Sequence, residues 1–440
     1  MARAKKEAAL TPEERLQAAL VPDWEWPYKL PGNWCRLKLV ESFDNHTDSK
    51  KKIKQKDYLV KGKLAVVDQG QELIGGYTND VEKSYSGALP IVIFGDHTRC
   101  IKFVDFPFAQ GADGVKVLRP KPFYLPKAFY YALQSVNIPN LGYRRHFPLF
   151  NKFSIPLPPF AEQQRIVDRI ESLFAKLDEA KEKAQAVVDS FETRKAAILH
   201  KAFTGELTAK WRRTHGLSLD TWKEVAADSL FEYVTSGSRG WAKYYDESGA
   251  VFIRMGNLDH GTIELDFSDI QHVKLPNKAE GQRSRIRKND ILISITADVG
   301  MVGLVRNDDF EGYINQHIAL ARPVMSESAE FIAWYLVSDI GLKQMQEKQR
   351  GATKVGLSLN DIRALQLKIP LIEEQNEILK VIKMWIGKEQ QSQEVAEAVL
   401  DQIGLMKKSI LARAFRGELG TNDPSEESAV ELLKEIIRRG

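Results

Sequence analysis

Cysteine and long apolar runs are both scarce in this chain. Cys35 and Cys100 are the only cysteines, and two isolated cysteines make neither a disulfide framework nor a metal site. Apolar stretches such as 88–94 are far shorter than the roughly 20 residues of a membrane helix. No apolar segment typical of a signal peptide follows the basic residues Lys5 and Lys6. We therefore expect a cytoplasmic protein that does not span a membrane.

The sequence also lacks the motifs of several enzyme classes. It has no Gly-x-x-x-x-Gly-Lys-Ser or -Thr loop for binding nucleotide phosphates. Its histidines do not show the i, i+4 spacing of a helical zinc site. The nearest match to an adenine methyltransferase motif begins at Leu157, whose side chain cannot accept a hydrogen bond from the target amino group. We expect no catalytic residue, no bound cofactor and no metal site in this chain.

The composition is that of a folded protein with a slightly basic balance. Hydrophobic residues make up 43% and charged residues 28% of the chain, and the net charge is +4 with a pI near 8.7. This charge is compatible with binding nucleic acid but does not require it. At about 150 residues per domain, 440 residues predict two or three domains.

An internal repeat organises the chain. Residues 197–207 read Ala-Ile-Leu-His-Lys-Ala-Phe-Thr-Gly-Glu-Leu, and residues 409–419 read Ser-Ile-Leu-Ala-Arg-Ala-Phe-Arg-Gly-Glu-Leu, an offset of 212 residues. The same offset superposes the pair 162–163, Glu-Gln, on the pair 374–375. The whole stretch from 162 to 207 therefore recurs without insertion or deletion.

Apolar residues in both copies follow the spacing of a coiled-coil seam. In the first copy they are Ile166, Ile170, Leu173, Leu177, Ala180, Ala184, Val187, Phe191 and Ile198, interrupted by Arg194. In the second copy they are Ile378, Ile382, Trp385, Ala396, Val399, Ile403, Met406 and Ile410, interrupted by Glu389 and Ser392. Because the simplest partner for one seam is the other, we expect two long helices that form an intramolecular antiparallel coiled coil.

Proline and glycine predict the limits of these helices. Pro158 and Pro159 lie just ahead of the first copy, and Gly205 and Gly417 follow the last apolar turns. The glycines of the second copy, Gly387 and Gly404, put its straightness in doubt. At 1.5 Å per residue the first helix is about 50 Å long, comparable to about 15 base pairs of DNA.

Two segments of mixed strand and helix complete the predicted α+β architecture. The predicted parts are an N-terminal helical arm (1–21), a first domain (22–155), a central long helix (156–217), a second domain (218–370) and a C-terminal long helix with a tail (371–440). The domains end alike, since Leu118-Arg119-Pro120 matches Ala321-Arg322-Pro323. Thr11-Pro12-Glu13-Glu14 predicts a helix start with a capping box.

Polar and basic turns of the first domain are candidates for contacts with DNA bases. They are the turn 75–80, with Tyr77, Thr78 and Asn79, and the turn 95–99, with His97 and Arg99. Such side chains can bond to base edges, and ordinary turn structure is the alternative. The lysine run 50–56 either contacts phosphates or is a solvated surface.

The second domain offers more arginines in glycine-containing loops. The candidates are Arg239, Trp241, Arg254, Asn257, Arg283, Arg285, Arg350 and Lys354. Arginine can bind guanine, and asparagine can bind adenine, through two hydrogen bonds. Any one arginine is more often a phosphate or surface contact than a base reader.

The arrangement resembles the specificity subunits of Type I restriction-modification systems across nearly the whole chain. The resemblance rests on two dissimilar domains, each followed by a helix that opens with Pro-Leu-Pro-Pro-Phe-Ala-Glu-Gln-Gln or Pro-Leu-Ile-Glu-Glu-Gln and closes with Ala-Phe-x-Gly-Glu-Leu. It implies two target-recognition domains, each reading half of a bipartite, asymmetric site in double-stranded DNA. Two methyltransferase subunits, and in some systems restriction or translocase subunits, are the implied partners. Those partners would use S-adenosylmethionine, ATP and Mg²⁺, and this chain would catalyse nothing itself.

Three questions stay open from the sequence. The repeated Phe203, Glu206, Phe415 and Glu418 either help bind partner subunits or form a cap that ends the coil. The chain is alternatively a stand-alone DNA-binding scaffold. A third possibility is a specificity subunit whose single kind of partner fuses methyltransferase and nuclease.

Overall fold

Each sheet-rich domain belongs to a unit that also contains parts of both long helices. The computed structural model describes residues 11–237, 239–275, 281–349 and 356–439. The first unit comprises residues 1–183 and 399–440, and the second comprises residues 184–398.

In the described part of the first unit the strands form three sheets. They are β1 (Cys35–Lys38), β2 (Phe43–Asn45), β3 (Leu64–Val67), β4 (Gly76–Thr78), β5 (Ile91–Gly95), β6 (Ile101–Val104), β7 (Phe108–Gln110), β8 (Val115–Pro120) and β9 (Ser154–Leu157). The sheet orders are β1-β9, β2-β8-β5-β6 and β4-β3-β7. Strands β3 and β7 are parallel, and the other pairs are antiparallel.

In the second unit the strands among the described residues also form three sheets. They are β10 (Lys223–Ala226), β11 (Phe231–Ser236), β12 (Tyr245–Asp246), β13 (Ala250–Ile253), β14 (Gln271–Val273), β15 (Ile291–Ser294), β16 (Val302–Leu304), β17 (Gly312–Ile314), β18 (Ile318–Pro323) and β19 (Gln366–Ile369). The sheet orders are β10-β19, β11-β18-β15-β16 and β12-β14-β13-β17. Here the parallel pair is β13 with β17.

The two domains therefore share one strand topology. The four-stranded order β2-β8-β5-β6 corresponds to β11-β18-β15-β16, and β4-β3-β7 corresponds to β14-β13-β17. Phe43 pairs with Pro120 as Phe231 pairs with Pro323, so the sequence match at the domain ends is confirmed. The repeat thus extends to domains in which the sequence shows little similarity.

The helices of the described ranges include several short elements and two long ones. They are α1 (Pro12–Ala19), α2 (Pro126–Ser135), α3 (Phe160–Asp189), α4 (Phe191–Phe203), α5 (Ala209–Thr214), α6 (Ala329–Val337), α7 (Asp339–Lys348), α8 (Leu359–Arg363), α9 (Ile372–Ala414) and α10 (Ala429–Arg439). The predicted capping box is confirmed, since the Glu14 amide donates to Thr11 Oγ1 (3.2 Å) and the Thr11 amide donates to Glu14 Oε2 (2.7 Å). In the part of the chain that is described, no helix is long and apolar enough to cross a membrane.

The glycines of the second copy do not end its helix. The second copy, with its two glycines, is one continuous helix of 43 residues. The first copy is instead interrupted at Ser190, between α3 and α4. The Ser190 hydroxyl donates to the carbonyl of Ala186, and such back-bonding bends helices.

The predicted seam of the first copy is confirmed by burial. Every seam residue from Ile166 to Ile198 is buried or half-buried. In the second copy Trp385 and Met406 are 42% and 48% exposed, so their assignment to the seam was wrong. Ile386, 6% exposed, takes the place of Trp385 because the seam steps by four after Ile382.

The two helices run antiparallel within each unit, since Thr421, beyond the end of α9, bonds to Glu162 at the start of α3, and Thr208, beyond the end of α4, bonds to Glu374 at the start of α9. In the second unit the Arg194 guanidinium bonds to Glu389 Oε2 through Nε at 2.6 Å. In the first unit Lys407 forms an ion pair with Asp178. Arg194 and Glu389 are polar interruptions of the two predicted seams, and they neutralise each other.

Cores form where each domain sheet meets a helix. In the first unit Val92, Phe94 and Leu118 of the four-stranded sheet belong to one cluster with Phe129 of α2. Burial raises the pKa of the Cys35 thiol in this cluster to about 12, as expected for a packing residue.

Candidate nucleic-acid interface

The second domain contains a polar cleft at the ends of its central strands. The cleft has a volume of about 690 Å³. It is lined by Ser236, Gly237, Arg239, Gly240, Trp241, Lys243, Tyr244, Arg283, Ile295, Thr296, Gln316, Leu357, Ser358 and Leu359. Three predicted residues, Arg239, Trp241 and Arg283, are therefore brought together.

Packing of the backbone shapes this cleft. A Cβ atom at Gly237 would overlap the carbonyl of Ile314, so only glycine lets strand β11 leave the sheet here. Trp241 is only 6% exposed and stacks on Phe252, with ring centroids 5.4 Å apart. Trp241 thus forms the wall of the cleft and offers little surface to a ligand.

The arginines of the cleft are available for an anionic ligand. Arg239 and Arg283 are exposed, and neither forms an ion pair with another described residue. The position of Arg283 is fixed through its backbone, because the Tyr233 hydroxyl donates to its carbonyl at 3.1 Å. Lys243 adds a third cation, so the cleft suits a phosphate backbone or the acceptor edge of guanine.

Arg254 and Asn257 do not line this cleft. Arg254 bonds to Asp269 at 3.0 Å. Asn257 is 3% exposed, and its amide nitrogen donates to the carbonyls of Asp266 and Asp269. The hydrogen-bonding groups of Asn257 therefore hold this loop, and its role in reading a base stays a prediction.

The remaining candidates of the second domain divide in two. Arg285 is exposed and bridges to Tyr313 through its backbone, outside the lining of the cleft. Arg350 and Lys354 lie outside the described residues.

In the first domain the equivalent turn follows β5 and carries His97. Its ring stacks on Tyr143 with centroids 4.8 Å apart and an angle of 14° between the planes. The His97 amide donates to Gln69 Oε1 at 3.1 Å. Tyr143 is 86% exposed, and an exposed aromatic face is available for a base or sugar.

Backbone hydrogen bonds show that these turns are equivalent. The Asp96 amide donates to the carbonyl of Gly114 as the Ile295 amide donates to that of His317. At Gly114, with φ +75°, a Cβ atom would lie 2.8 Å from the His97 ring. In the second domain His317 bonds instead to the Thr296 hydroxyl at 2.6 Å. The same place in the fold therefore presents different side chains in the two domains.

Other predictions in the first domain are modified. The segment around Tyr77 is strand β4 and not a turn, and Thr78 is 7% exposed. Asn79 remains exposed, although its Oδ1 accepts from the Lys63 amide at 3.2 Å. Arg99 donates to the carbonyl of Ile138 at 3.0 Å and so fixes the turn.

The lysine run has a partly structural role. Lys51 Nζ donates to the carbonyl of Ser84 at 3.1 Å. Lys54 and Lys56 are exposed and remain available for phosphates.

Several surface residues were missed by sequence reasoning. They are Gln69, Tyr143, Arg144 and Arg145 in the first domain and Lys243, Thr296 and Gln316 in the second. Tyr143-Arg144-Arg145, one aromatic and two exposed arginines after a glycine, is a signal that the sequence offered. Gln69 and Gln316 gave no such signal, because only the fold brings them to these turns.

The repeated helix ends contain packing residues. Phe203 and Phe415 are each 1% exposed, whereas Glu206 and Glu418 are exposed. Gly205 and Gly417 have φ of +82° and +78°, which confirms them as helix stops. For the phenylalanines, burial favours the cap over a surface that binds partners.

The repeated Glu-Gln pair at the helix starts lies in a buried network. Glu162 accepts from Trp34 Nε1 at 2.6 Å, and Glu374 accepts from Trp222 Nε1 at 2.9 Å. Thr421 donates to Glu162 at 3.1 Å. These bonds tie the start of one long helix to residues that follow the end of the other.

The partners of Glu374 complete the second network. Thr208 donates to it at 2.6 Å, and the Arg212 guanidinium forms a buried ion pair with it.

No cluster of three potential metal ligands occurs among the described residues.

Comparison with known proteins assigns the family. The model of the Type I restriction modification DNA specificity domain matches residues 31–188 and 220–397. The EcoBI specificity subunit of Escherichia coli is 27% identical over 307 residues, which are 64% of this chain and 63% of that protein. For the EcoKI specificity subunit of E. coli strain K12 the identity is 25% over 65% of this chain and 64% of that protein. The matches thus span somewhat less than two thirds of these relatives.

Solved structures share the fold. One chain, from work on the assembly and conformational transition of the type I R-M system, has a TM-score of 0.61 and 17% identity and covers 89% of this chain and 100% of its own. The HsdS subunit from Thermoanaerobacter tengcongensis has a TM-score of 0.53 and 18% identity, with coverage of 90% and 99%. The two matches of the family model together span most of this chain, and the chain therefore belongs to the Type I restriction-modification DNA specificity family.

Proposed function

We propose that this chain is the sequence-specific DNA-recognition subunit of a Type I restriction-modification complex. Each domain reads one half of a bipartite, asymmetric site, the second through its polar cleft and the first through the turns around His97. The observation that carries the proposal is the repeated topology with different side chains at equivalent turns. One docking geometry with two surface chemistries suits a split site whose halves differ.

The chemistry belongs to partner subunits in this proposal. Two methyltransferase subunits use S-adenosylmethionine to methylate adenine, and a restriction subunit, where present, uses ATP and Mg²⁺. This chain supplies recognition of the DNA sequence and no catalytic group. Exposed Glu206 and Glu418 are the residues of the helix ends that remain candidates for contacts with these partners.

The helix pair sets the distance between the half-sites in this proposal. Ala184 and Ala396 are buried within the second unit at 8% and 6% exposure. One heptad inserted after each preserves the seam. It should lengthen the gap between the recognised halves and leave both halves unchanged, whereas an unchanged gap would refute this role.

The experiment is co-expression with a methyltransferase subunit encoded beside this chain, followed by single-molecule sequencing of host DNA. A split motif methylated only when both chains are present is the expected result. A soluble complex without new methylation would contradict the proposal and favour a stand-alone DNA-binding scaffold.

A further inference from the structure

The second unit exposes an apolar groove beside its two-stranded sheet. The groove has a volume of about 390 Å³. Val324, Met325 and Leu371 line it with exposures of 58%, 54% and 45%. Three large apolar side chains exposed in one groove indicate an interaction site more strongly than one such residue alone.

The repeat identifies the same surface on the first unit. Val225, in the wall of the groove, pairs with β19 as Leu37 pairs with β9. The amide of Val324 donates to the residue before β11, and the amide of Lys121 donates to the residue before β2. Lys121 and Val324 therefore occupy equivalent positions, and so do Leu37 and Val225.

In the first unit the ends of the chain cover this surface. Leu20 forms a bridge with Leu37, which is 0% exposed, whereas Val225 is half-buried. Helices α1 and α10 pack together there, and Ala19 and Leu433 lie beside Lys121 along one cleft. The surface that is open on the second unit is thus occupied by helices on the first.

Helix α10 shows what kind of segment fits. Its Ala429 and Leu433 are buried in the core of the first unit, and Ile436 packs against that core. Lys434 and Glu435 of the same helix form ion pairs with neighbouring side chains and are more than one third exposed. The occupant is therefore an amphipathic helix with aliphatic residues at i, i+3 and i+4 spacing.

We infer that the groove of the second unit binds an amphipathic helix of a modification subunit, at the place that α1 and α10 occupy on the first unit. This inference rests on the proposed function. A second copy of this chain is the weaker candidate, because its α10 is engaged: the Ala429 amide donates to the Asn33 carbonyl at 2.9 Å. The helix-in-groove mode needs a few aliphatic anchors and an open apolar channel.

The test uses the full chain and the purified modification subunit without DNA. Met325→Glu and Leu371→Glu each place a charge in the groove at an exposed position, so folding should persist, as circular dichroism would verify. Val60→Glu, at a residue 91% exposed in the first domain, is the matched control. We expect the groove variants to weaken binding of the modification subunit by about tenfold or more, with the control unchanged.

A photo-crosslinker in place of Met325 tests the occupant directly. A crosslink to a helical segment of the modification subunit is expected. Wild-type affinity in both groove variants, or a crosslink to a second copy of this chain, would overturn the inference while the complex itself still forms. If the wild-type chain forms no complex with that subunit, the proposed function fails as well.

Discussion

The two domains have the same strand order and present different surfaces. The second has a cleft with exposed Arg239 and Arg283, whereas the first presents His97 stacked on Tyr143. The hydrogen bonds that the equivalent turns share, from the Asp96 and Ile295 amides, are backbone bonds. Because backbone bonds do not depend on side-chain identity, the turns can diverge while the scaffold stays constant.

The buried networks at the helix starts show the opposite behaviour. Glu162 and Glu374 are both 0% exposed, and each accepts from a tryptophan. Only Glu374 also faces a buried guanidinium, that of Arg212. The bond from a tryptophan to a buried glutamate is thus repeated. Of these two networks, only that of Glu374 contains a buried ion pair.

The largest effect on stability is expected when Glu374, the partner of the buried Arg212, is replaced. Glu374→Ala leaves Arg212 buried without its partner, and removal of one member of a buried ion pair costs about 3–5 kcal/mol. Glu162→Ala takes the acceptor away from neutral donors such as the Trp34 indole. It should lower the free energy of unfolding by about 1–3 kcal/mol. Hydrogen exchange of the β10 and β19 amides reports the first variant, and that of β1 and β9 reports the second. Equal losses in both variants would contradict the distinction.

The next effect concerns recognition by the cleft. Arg283→Ala should weaken methylation of sites recognised by the second domain, since one good contact with a base is worth about 1–3 kcal/mol. Arg254→Ala, outside the lining of the cleft, is the matched control and should act less on the site preference. Methylation rates on duplexes with single substitutions in either half-site measure both. An equal change on every duplex would identify Arg283 as a phosphate contact.

A smaller effect is expected at the helix pair. Arg194 and Glu389 are partly exposed, at 33% and 20% of their side chains, so their coupling should be about 1 kcal/mol or less. Arg194→Glu should destabilise the pair, and the added Glu389→Arg should restore most of the loss. Urea denaturation of the two variants and the wild type checks this, and a double variant no more stable than the single one would refute a direct pairing.

The smallest effect is expected at Trp385. It was predicted to lie in the seam, but it is 42% exposed. Trp385→Ala should change the free energy of unfolding by about 0.5 kcal/mol or less. The matched variant Ile386→Ala removes a buried side chain and should cost about 2–5 kcal/mol, measured in the same urea series.

Periodicity and repetition made much of the fold predictable. The seam from Ile166 to Ile198, the stops at Gly205 and Gly417, and the two α+β domains all follow from local spacing. The break at Ser190 was missed because serine is not a strong breaker and its bond to Ala186 becomes visible only in three dimensions. The step that exposes Trp385 was missed because helical spacing tolerates a shift of one residue.

The candidate interface was less predictable than the scaffold. Arg239 and Arg283 were identified because basic residues in loops tend to be exposed. The burial of Asn257 was not predictable because it depends on bonds to the carbonyls of Asp266 and Asp269, which no pattern indicates. Gln316 was missed because non-local strand pairing brings its turn to the cleft.

Exchange of one domain tests the central claim most directly. Residues 218–370 are replaced by the corresponding domain of a related specificity subunit, and the hybrid is co-expressed with the methyltransferase subunit. Single-molecule sequencing should then show a split motif in which one half has changed and the other is retained. A motif changed in both halves, or in neither, would contradict two independent recognition domains on one scaffold.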